Sequence, residues 1–244
     1  MRDYIERYRR LWYYDPIFMT YPVKFEIELK KNLNAGLYIA LEGIDGSGKT
    51  TQARELQKYF EGLGMTVFLT HEPRRDGVIG PLIHDVLQAE VAIPEVAIQY
   101  LFAAQRVVHL EEMVIPALQR GEVVISDRCF WSSIPYGLLD RFESSNETAE
   151  RLLATLSVLS MYHEFITPDM ALFLDVDVET AGKRIAAIKR KVEIYEKKDK
   201  LQRVRNGYEF LLNKFPDQLV RIHAERHIDE VTKEIVEMLR KVKK

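Results

Sequence analysis

Chemistry in this sequence can be built around Gly43-Ile44-Asp45-Gly46-Ser47-Gly48-Lys49-Thr50-Thr51. Glycines at 43, 46 and 48 let successive backbone N–H groups converge on one anion with no Cβ in the way. A lysine directly after them reaches the β- and γ-phosphates of a nucleotide, and the Thr50 hydroxyl can ligate Mg²⁺. The plainer alternative is a glycine turn that closes a strand. The flanks favour phosphate. An apolar run, Leu37 to Leu41, precedes the glycines, and Ala53, Leu56, Phe60 and Leu63 follow at helical spacing. Strand, glycine loop and helix together make a phosphate-binding loop whose helix start adds its positive dipole end.

Other residues are candidates for the same site. Val123 to Ile125 form an apolar run ending in Ser126-Asp127-Arg128. An acid at the end of a neighbouring strand suits the Mg²⁺ site of a phosphate-loop protein, and Arg128 would face the same anions; a strand-end salt bridge is the alternative. Arg74 and Arg75 follow Glu72-Pro73 at the end of another strand. They either carry surface charge or grip an anion where sheet ligands bind. Phe102 and Arg106 share a helical face and, taken alone, read as core and snorkelling surface. Phe130, Trp131, Tyr136 and the pair Ser132-Ser133 either line a flat-ring pocket or pack. Cys129 reads as a packing residue. The charged run from Lys183 to Lys198 is either a solvated face or a mobile flap over phosphates.

Five strand patterns must position these groups: Leu37–Leu41, Thr66–Thr70, Glu122–Arg128, Ala171–Val176 and Leu219–Ile222. Helical patterns alternate with them. One begins after Pro94 and carries Val107, Leu110, Val114 and Leu118; Pro116 should kink it or start a new piece, and Gly121 should end it. Another covers 148–165. Asp177 and Asp229 read as N-caps, the latter for a last helix with Val231, Ile235, Leu239 and Val242 inward. The fold class is therefore α/β, a five-stranded parallel sheet with helices on both faces.

Residues 1–36 read as an extension to a domain spanning 37–244. Tyr4, Ile5, Tyr8, Leu11 and Trp12 form an aromatic helical face; Val23 to Leu29 alternate as a strand would; Asn32 to Gly36 read as a turn. The aromatic face packs on the parent domain or meets a second subunit. The 244 residues are 47% hydrophobic, with net charge −2 and one cysteine. That gives no electrostatic case for nucleic acid, excludes an internal disulfide and fits a reducing compartment. No run approaches a membrane span, and Met1 to Arg7 are too charged for a signal-peptide core, so the expected location is cytoplasmic.

A phosphate loop alone leaves GTPases, ATPases and small-molecule kinases open. The only Asn-Lys, Asn213-Lys214-Phe215-Pro216, lacks the acid of a guanine-reading motif. The many arginines fit two phosphorylated ligands held head to head. In its ordered motifs the chain from about Leu37 onward resembles the thymidylate kinase family. These are Glu42 to Thr51, Glu72-Pro73, Leu101-Phe102-Ala103-Ala104-Gln105-Arg106, Val124 to Arg128 with Ser132-Ser133 and Tyr136, then Pro168-Asp169 with Leu174-Asp175-Val176.

The resemblance implies a P-loop kinase fold, ATP and Mg²⁺, a homodimer, and γ-phosphoryl transfer from ATP to dTMP. The alternatives are a kinase for another nucleotide or a regulatory module without transfer. By position it implies that Gly43 to Thr51 bind ATP and that Asp45 also binds the deoxyribose 3′-hydroxyl. Phe102 would stack on thymine, Arg106 and Ser133 would contact the base, and Tyr136 would crowd the sugar's 2′ position. Arg75 and Arg128 would hold the dTMP phosphate beside Pro73. Thr50 and Asp127 would hold Mg²⁺, with Glu193 and Glu196 matching an acidic pair near a lid at about 183–197. Lys49, Asp127 and Arg128 would be catalytic. Gly46 stands where some members carry a catalytic arginine; members with glycine there place the cation in the lid, which makes Arg190 the first candidate and Arg184 the second. The sequence departs from the common pattern at Gln105 (often Asp), Cys129 (often Tyr) and Arg74-Arg75 (often Gly-Gly).

Overall fold

The structure, a computed structural model, describes residues 28–141, 155–162, 165–188 and 193–241. The first strand, β1 (Lys30–Lys31), forms a short parallel ribbon with β5 (Ile166–Thr167). The main sheet contains β2 (Tyr38–Glu42), β3 (Val67–His71), β4 (Val123–Asp127), β6 (Met170–Asp175) and β7 (Leu219–His223). All its pairings are parallel, in the order β3-β4-β2-β6-β7. The near-continuous apolar strands β2, β4 and β6 occupy the middle, covered on both faces, while β3 and β7 take the half-buried edges.

The chain leaves β2 toward β3 on one side and later builds β6 on the other. The topological switch therefore lies beside β2, where α/β sheets bind ligands outside the carboxyl ends of their strands. Register brings the relevant ends to one rim: Leu41 stands opposite Asp127, and Asp127 opposite His71.

The helices are α1 (Lys49–Gly62), α2 (Gly80–Leu87), α3 (Glu95–His109), α4 (Ile115–Gln119), α5 (Ser133–Arg141), α6 (Val178–Ala187), α7 (Lys198–Lys214) and α8 (Ile228–Leu239). α1 packs on α8, while α3 packs on α5 and α5 on α7. These are the two helical layers that right-handed crossovers in both directions from β2 require. A π-helical turn, Leu110–Val114, joins α3 to α4. Pro116 has no N–H for the helical ladder, and a new piece starts around it. Gly121, at φ 80°, ends that piece. Asp177 caps α6 by accepting the Thr180 N–H at 2.5 Å.

Some expectations shift. The cap of α8 is His227, whose Nδ1 accepts the Asp229 N–H at 3.4 Å; Asp229 sits in the first turn, where its charge suits the helix dipole. Leu63 lies just past α1 and is 60% exposed. Val107 is exposed because the inward stripe of α3 runs instead through Ile98, Phe102, Arg106 and His109. Ahead of residue 37, buried Asn32 donates to Gly36 O at 3.0 Å and to Asp169 Oδ2 at 2.8 Å, which ties this end of the segment to the residue preceding β6. Residues 1–27, including the aromatic face and most of the alternating segment, lie outside the described residues, as does Val242.

Candidate active site

The loop after β2 carries φ of 143° at Gly43, 79° at Gly46 and 100° at Gly48, values that favour glycine. Gly46 is also a point of close approach. A Cβ there would stand 2.5 Å from the Ala181 carbonyl oxygen of α6. No side chain fits at position 46, so a cation at this end must come from elsewhere. Arg184 of α6 is one: its Nη1 donates to Gly46 O at 3.3 Å and Ser47 O at 3.2 Å, and its Nη2 to Ala224 O at 3.1 Å.

Lys49 opens α1 and is buried; its Nζ donates to Gly43 O at 3.2 Å and Ile44 O at 2.9 Å. Burial lowers its pKa first, then the Arg128 charge, while Asp127 and Asp45 oppose the shift. The Thr50 hydroxyl donates to Asp127 Oδ2 at 2.5 Å, so two oxygen donors from α1 and β4 converge below the loop.

Arg128 takes the left-handed region at φ 79°, held by its N–H on Leu41 O at 2.8 Å and by the Ser126 hydroxyl on its carbonyl at 2.6 Å. This turns the guanidinium back under the loop. Nη1 donates to Gly43 O at 2.9 Å, Ser132 Oγ at 3.1 Å and Tyr208 OH at 3.3 Å; Nη2 donates to Asp45 Oδ1 at 2.6 Å and Tyr136 OH at 3.0 Å. Beneath it lies Glu42, fully buried at the end of β2. It accepts the Ser132 hydroxyl at 2.5 Å, the Tyr208 hydroxyl at 2.7 Å and the Cys129 N–H at 2.9 Å. Burial and the Glu42 charge push the Cys129 thiol well up, so it stays protonated and packs.

At the other end, Arg106 of α3 is buried and ringed. Its Nε donates to Glu72 Oε2 at 2.5 Å, and its Nη1 to Tyr162 OH at 3.0 Å and to Ser133 Oγ. It lies 5.6 Å from the centroid of the Phe102 ring. His109 bridges Glu72 Oε1 at 3.1 Å and Thr70 Oγ1 at 2.7 Å. Burial pushes the Glu72 carboxyl up, but Arg106 and His109 together hold it below its ordinary range.

One cavity of about 870 Å³ joins the two ends. Its wall includes Asp45, Gly46, Gly48, Lys49, Thr50 and Thr51 from the loop, and Pro73, Arg75, Phe102, Arg106, Ser133 and Tyr136 from the far end. Asp127, Arg128, Arg184 and Glu193 also line it. The Phe102 and Arg106 pair, unremarkable as a helical spacing, thus faces a site. Gly43, Ile44 and Ser47 lie behind the lining and shape the loop. The acidic pair separates. Glu193 lines the cavity, and Glu196 is buried with its Oε2 accepting the Glu193 N–H at 2.7 Å. Arg190 lies outside the described residues. Among the described residues no three His, Cys, Asp or Glu side chains gather to hold a metal, and no helix is long and apolar enough to cross a membrane.

Sequence reading missed several parts. Tyr195 lines the cavity with its ring edge-on to Tyr136 at 5.0 Å. Glu42, Tyr208 and His109 orient the arginines. Glu42 and Glu72 stood inside noticed motifs; Tyr208 and Tyr195 carried no pattern that marked them.

The comparisons agree with this geometry. Residues 41–235 match the thymidylate kinase family. A "Probable thymidylate kinase" of Pyrococcus horikoshii is 37% identical over 212 residues, covering 84% of this chain and 96% of that one. A thymidylate kinase of Leifsonia xyli is 34% identical, covering 82% and 92%. A solved thymidylate kinase from Candida albicans, 28% identical, superposes with a TM-score of 0.69 over 84% of this chain and 91% of its own. With its phosphate loop, five-stranded sheet and sequence matched over most of its length, the chain belongs to the thymidylate kinase family and has the P-loop kinase fold.

Proposed function

We propose that this chain transfers the γ-phosphoryl group of ATP to dTMP, giving ADP and dTDP. The observation that carries the proposal is the single cavity with the phosphate loop at one end, the Phe102, Arg106 and Ser133 cluster at the other, and Arg128 between them. ATP phosphates lie in the loop of residues 43 to 51. Thymine stacks on Phe102 and is read by Arg106 and Ser133; Asp45 takes the 3′-hydroxyl and Tyr136 excludes a 2′-hydroxyl. Arg75 and Arg128 receive the acceptor phosphate beside Pro73.

Thr50 and Asp127 would hold Mg²⁺, with Glu193 at the cavity wall. Two convergent protein oxygens fit a hard cation that keeps waters and substrate phosphates as its other ligands. When bound it neutralises charge on the phosphates. Lys49, Arg128 and a lid cation, Arg190 or else Arg184, spread the charge that develops in transfer. No strong general base is needed, because a phosphate monoester with second pKa about 6 is already an oxyanion at neutral pH. Incubation with MgATP and a panel of nucleoside monophosphates, counting ADP, tests the reading. Turnover with dTMP should exceed that with dUMP by at least about tenfold, the worth of one methyl in an apolar pocket. Equal turnover with ribonucleotides would refute the role of Tyr136.

The active form is proposed to be a homodimer. Tyr100 (58% exposed), Val107 (44%) and Val108 (39%) form an apolar stripe on the outward face of α3, two turns long and at helical spacing. Light scattering should give twice the chain mass, and Val107→Glu should return it to the mass of one chain. An unchanged mass in that variant would exclude this face.

A further inference from the structure

Gln105, buried on α3, holds the peptide groups on both sides of Arg74. Its Oε1 accepts the Arg74 N–H at 3.1 Å and its Nε2 donates to the Arg74 carbonyl at 2.6 Å. The segment is fixed from the other side too. A Cβ on Gly80 would stand 2.6 Å from the Arg74 carbonyl oxygen and 2.9 Å from the Arg75 carbonyl carbon, so α2 abuts this backbone. The Arg74 side chain turns away to a bidentate pair with Asp76, at 2.8 and 2.5 Å. Arg75 is different. It is exposed, lines the cavity, and has no hydrogen-bond or ion-pair partner among the described residues.

We infer that Gln105 is a positioning residue that aims Arg75 at the acceptor phosphate and so sets the enzyme's preference for a phosphorylated acceptor over a free nucleoside. This rests on the kinase reading above. The chemistry calls for a primary amide of this length. Glutamine donates and accepts at once, as a clamp on an N–H and a C=O requires; a carboxylate in its place would have no donor for the Arg74 carbonyl. With the clamp in place, a long flexible cation is ordered at its root before ligand arrives, and less freedom is lost when it pairs with a phosphate. Both arginines border the cavity, but Arg74 commits its charge to Asp76, which leaves Arg75 as the one available to an acceptor phosphate.

The test compares Gln105→Leu, Gln105→Glu, Arg75→Ala and the double variant Arg75→Ala/Gln105→Leu in the full chain. Calorimetry with dTMP and with thymidine, which lacks the phosphate, is paired with kinetics. Each single variant should raise the Kd and KM for dTMP roughly tenfold, the worth of one ordered Arg–phosphate contact. Thymidine affinity and the KM for ATP should stay within about twofold, and kcat should stay within about twofold in the Gln105 variants. The double variant should be no worse than Arg75→Ala alone, since both changes remove one contact. Equal losses for dTMP and thymidine, or losses that multiply in the double variant, would overturn the inference. So would unchanged dTMP affinity in Gln105→Glu, the nearest in shape and the variant to rely on if Gln105→Leu fails to fold. A wild-type chain that does not bind dTMP would refute the kinase reading itself, and the inference with it.

Discussion

Replacing Arg128 with alanine should lower turnover by roughly two decades or more, the loss expected on removing a preorganised donor to a developing oxyanion. The expectation follows from how much structure serves this guanidinium. Its backbone takes a conformation uncommon outside glycine, and its Nη atoms meet Gly43, Asp45, Ser132, Tyr136 and Tyr208. Glu42 fixes Ser132 and Tyr208 in turn. Such a frame leaves little to reorganise when charge moves between phosphates. Arg128→Lys should recover only part of the loss, because an ammonium cannot span these acceptors in one plane. Lys49→Ala should fall comparably. Near-normal turnover in purified, folded Arg128→Ala and Lys49→Ala would contradict the mechanism. Circular dichroism of both proteins separates lost chemistry from lost fold.

Glu72→Gln should cost roughly 3–5 kcal/mol of folding stability, because removing one partner of a buried pair leaves the other charge uncompensated. The side chains of Arg106 and Glu72 are 5% and 2% exposed, so water cannot compensate Arg106. Urea unfolding measures the loss. The pair also predicts a pH dependence. Glu72 has a depressed folded-state pKa, so it contributes stability that is full above its unfolded value near 4.5 and lost as pH falls through the folded value. Stability of the unaltered chain should therefore drop on acidification below about pH 4.5, and Glu72→Gln should show a shallower acid limb. Equal acid limbs would mean that other carboxylates carry the effect. The same variant should weaken dTMP binding, since Arg106 faces the cavity through the orientation Glu72 imposes.

The parts of this molecule that follow from local pattern could be read from the chain. The glycine loop, the five strands and the Asp177 cap each rest on a few adjacent residues whose chemistry dictates one conformation. Elements assembled across the chain could not. β1 and β5 hold two residues each, too few to show a period, and exist because Asn32 and Thr167 reach across to Asp169 and Lys30. From helical spacing alone, Phe102 and Arg106 of α3 read as a core residue and a snorkelling surface residue. Their sense depends on Glu72, Ser133 and Tyr162, which arrive from three other segments. Tyr208 was invisible for the same reason: 166 residues separate it from Glu42. His227 took the cap from Asp229 because two polar residues one position apart on either side of Ile228 compete for one helix start, and spacing alone does not decide between them.

The central claim is transfer between two bound nucleotides, and label on the γ-phosphate tests it most directly. The purified chain would be given γ-labelled ATP with Mg²⁺ and dTMP, and the products separated. The account predicts label in dTDP, formed one for one with ADP, and lost when Arg128 is alanine. Label released only as inorganic phosphate, or retained in ATP while dTMP is bound, would contradict it.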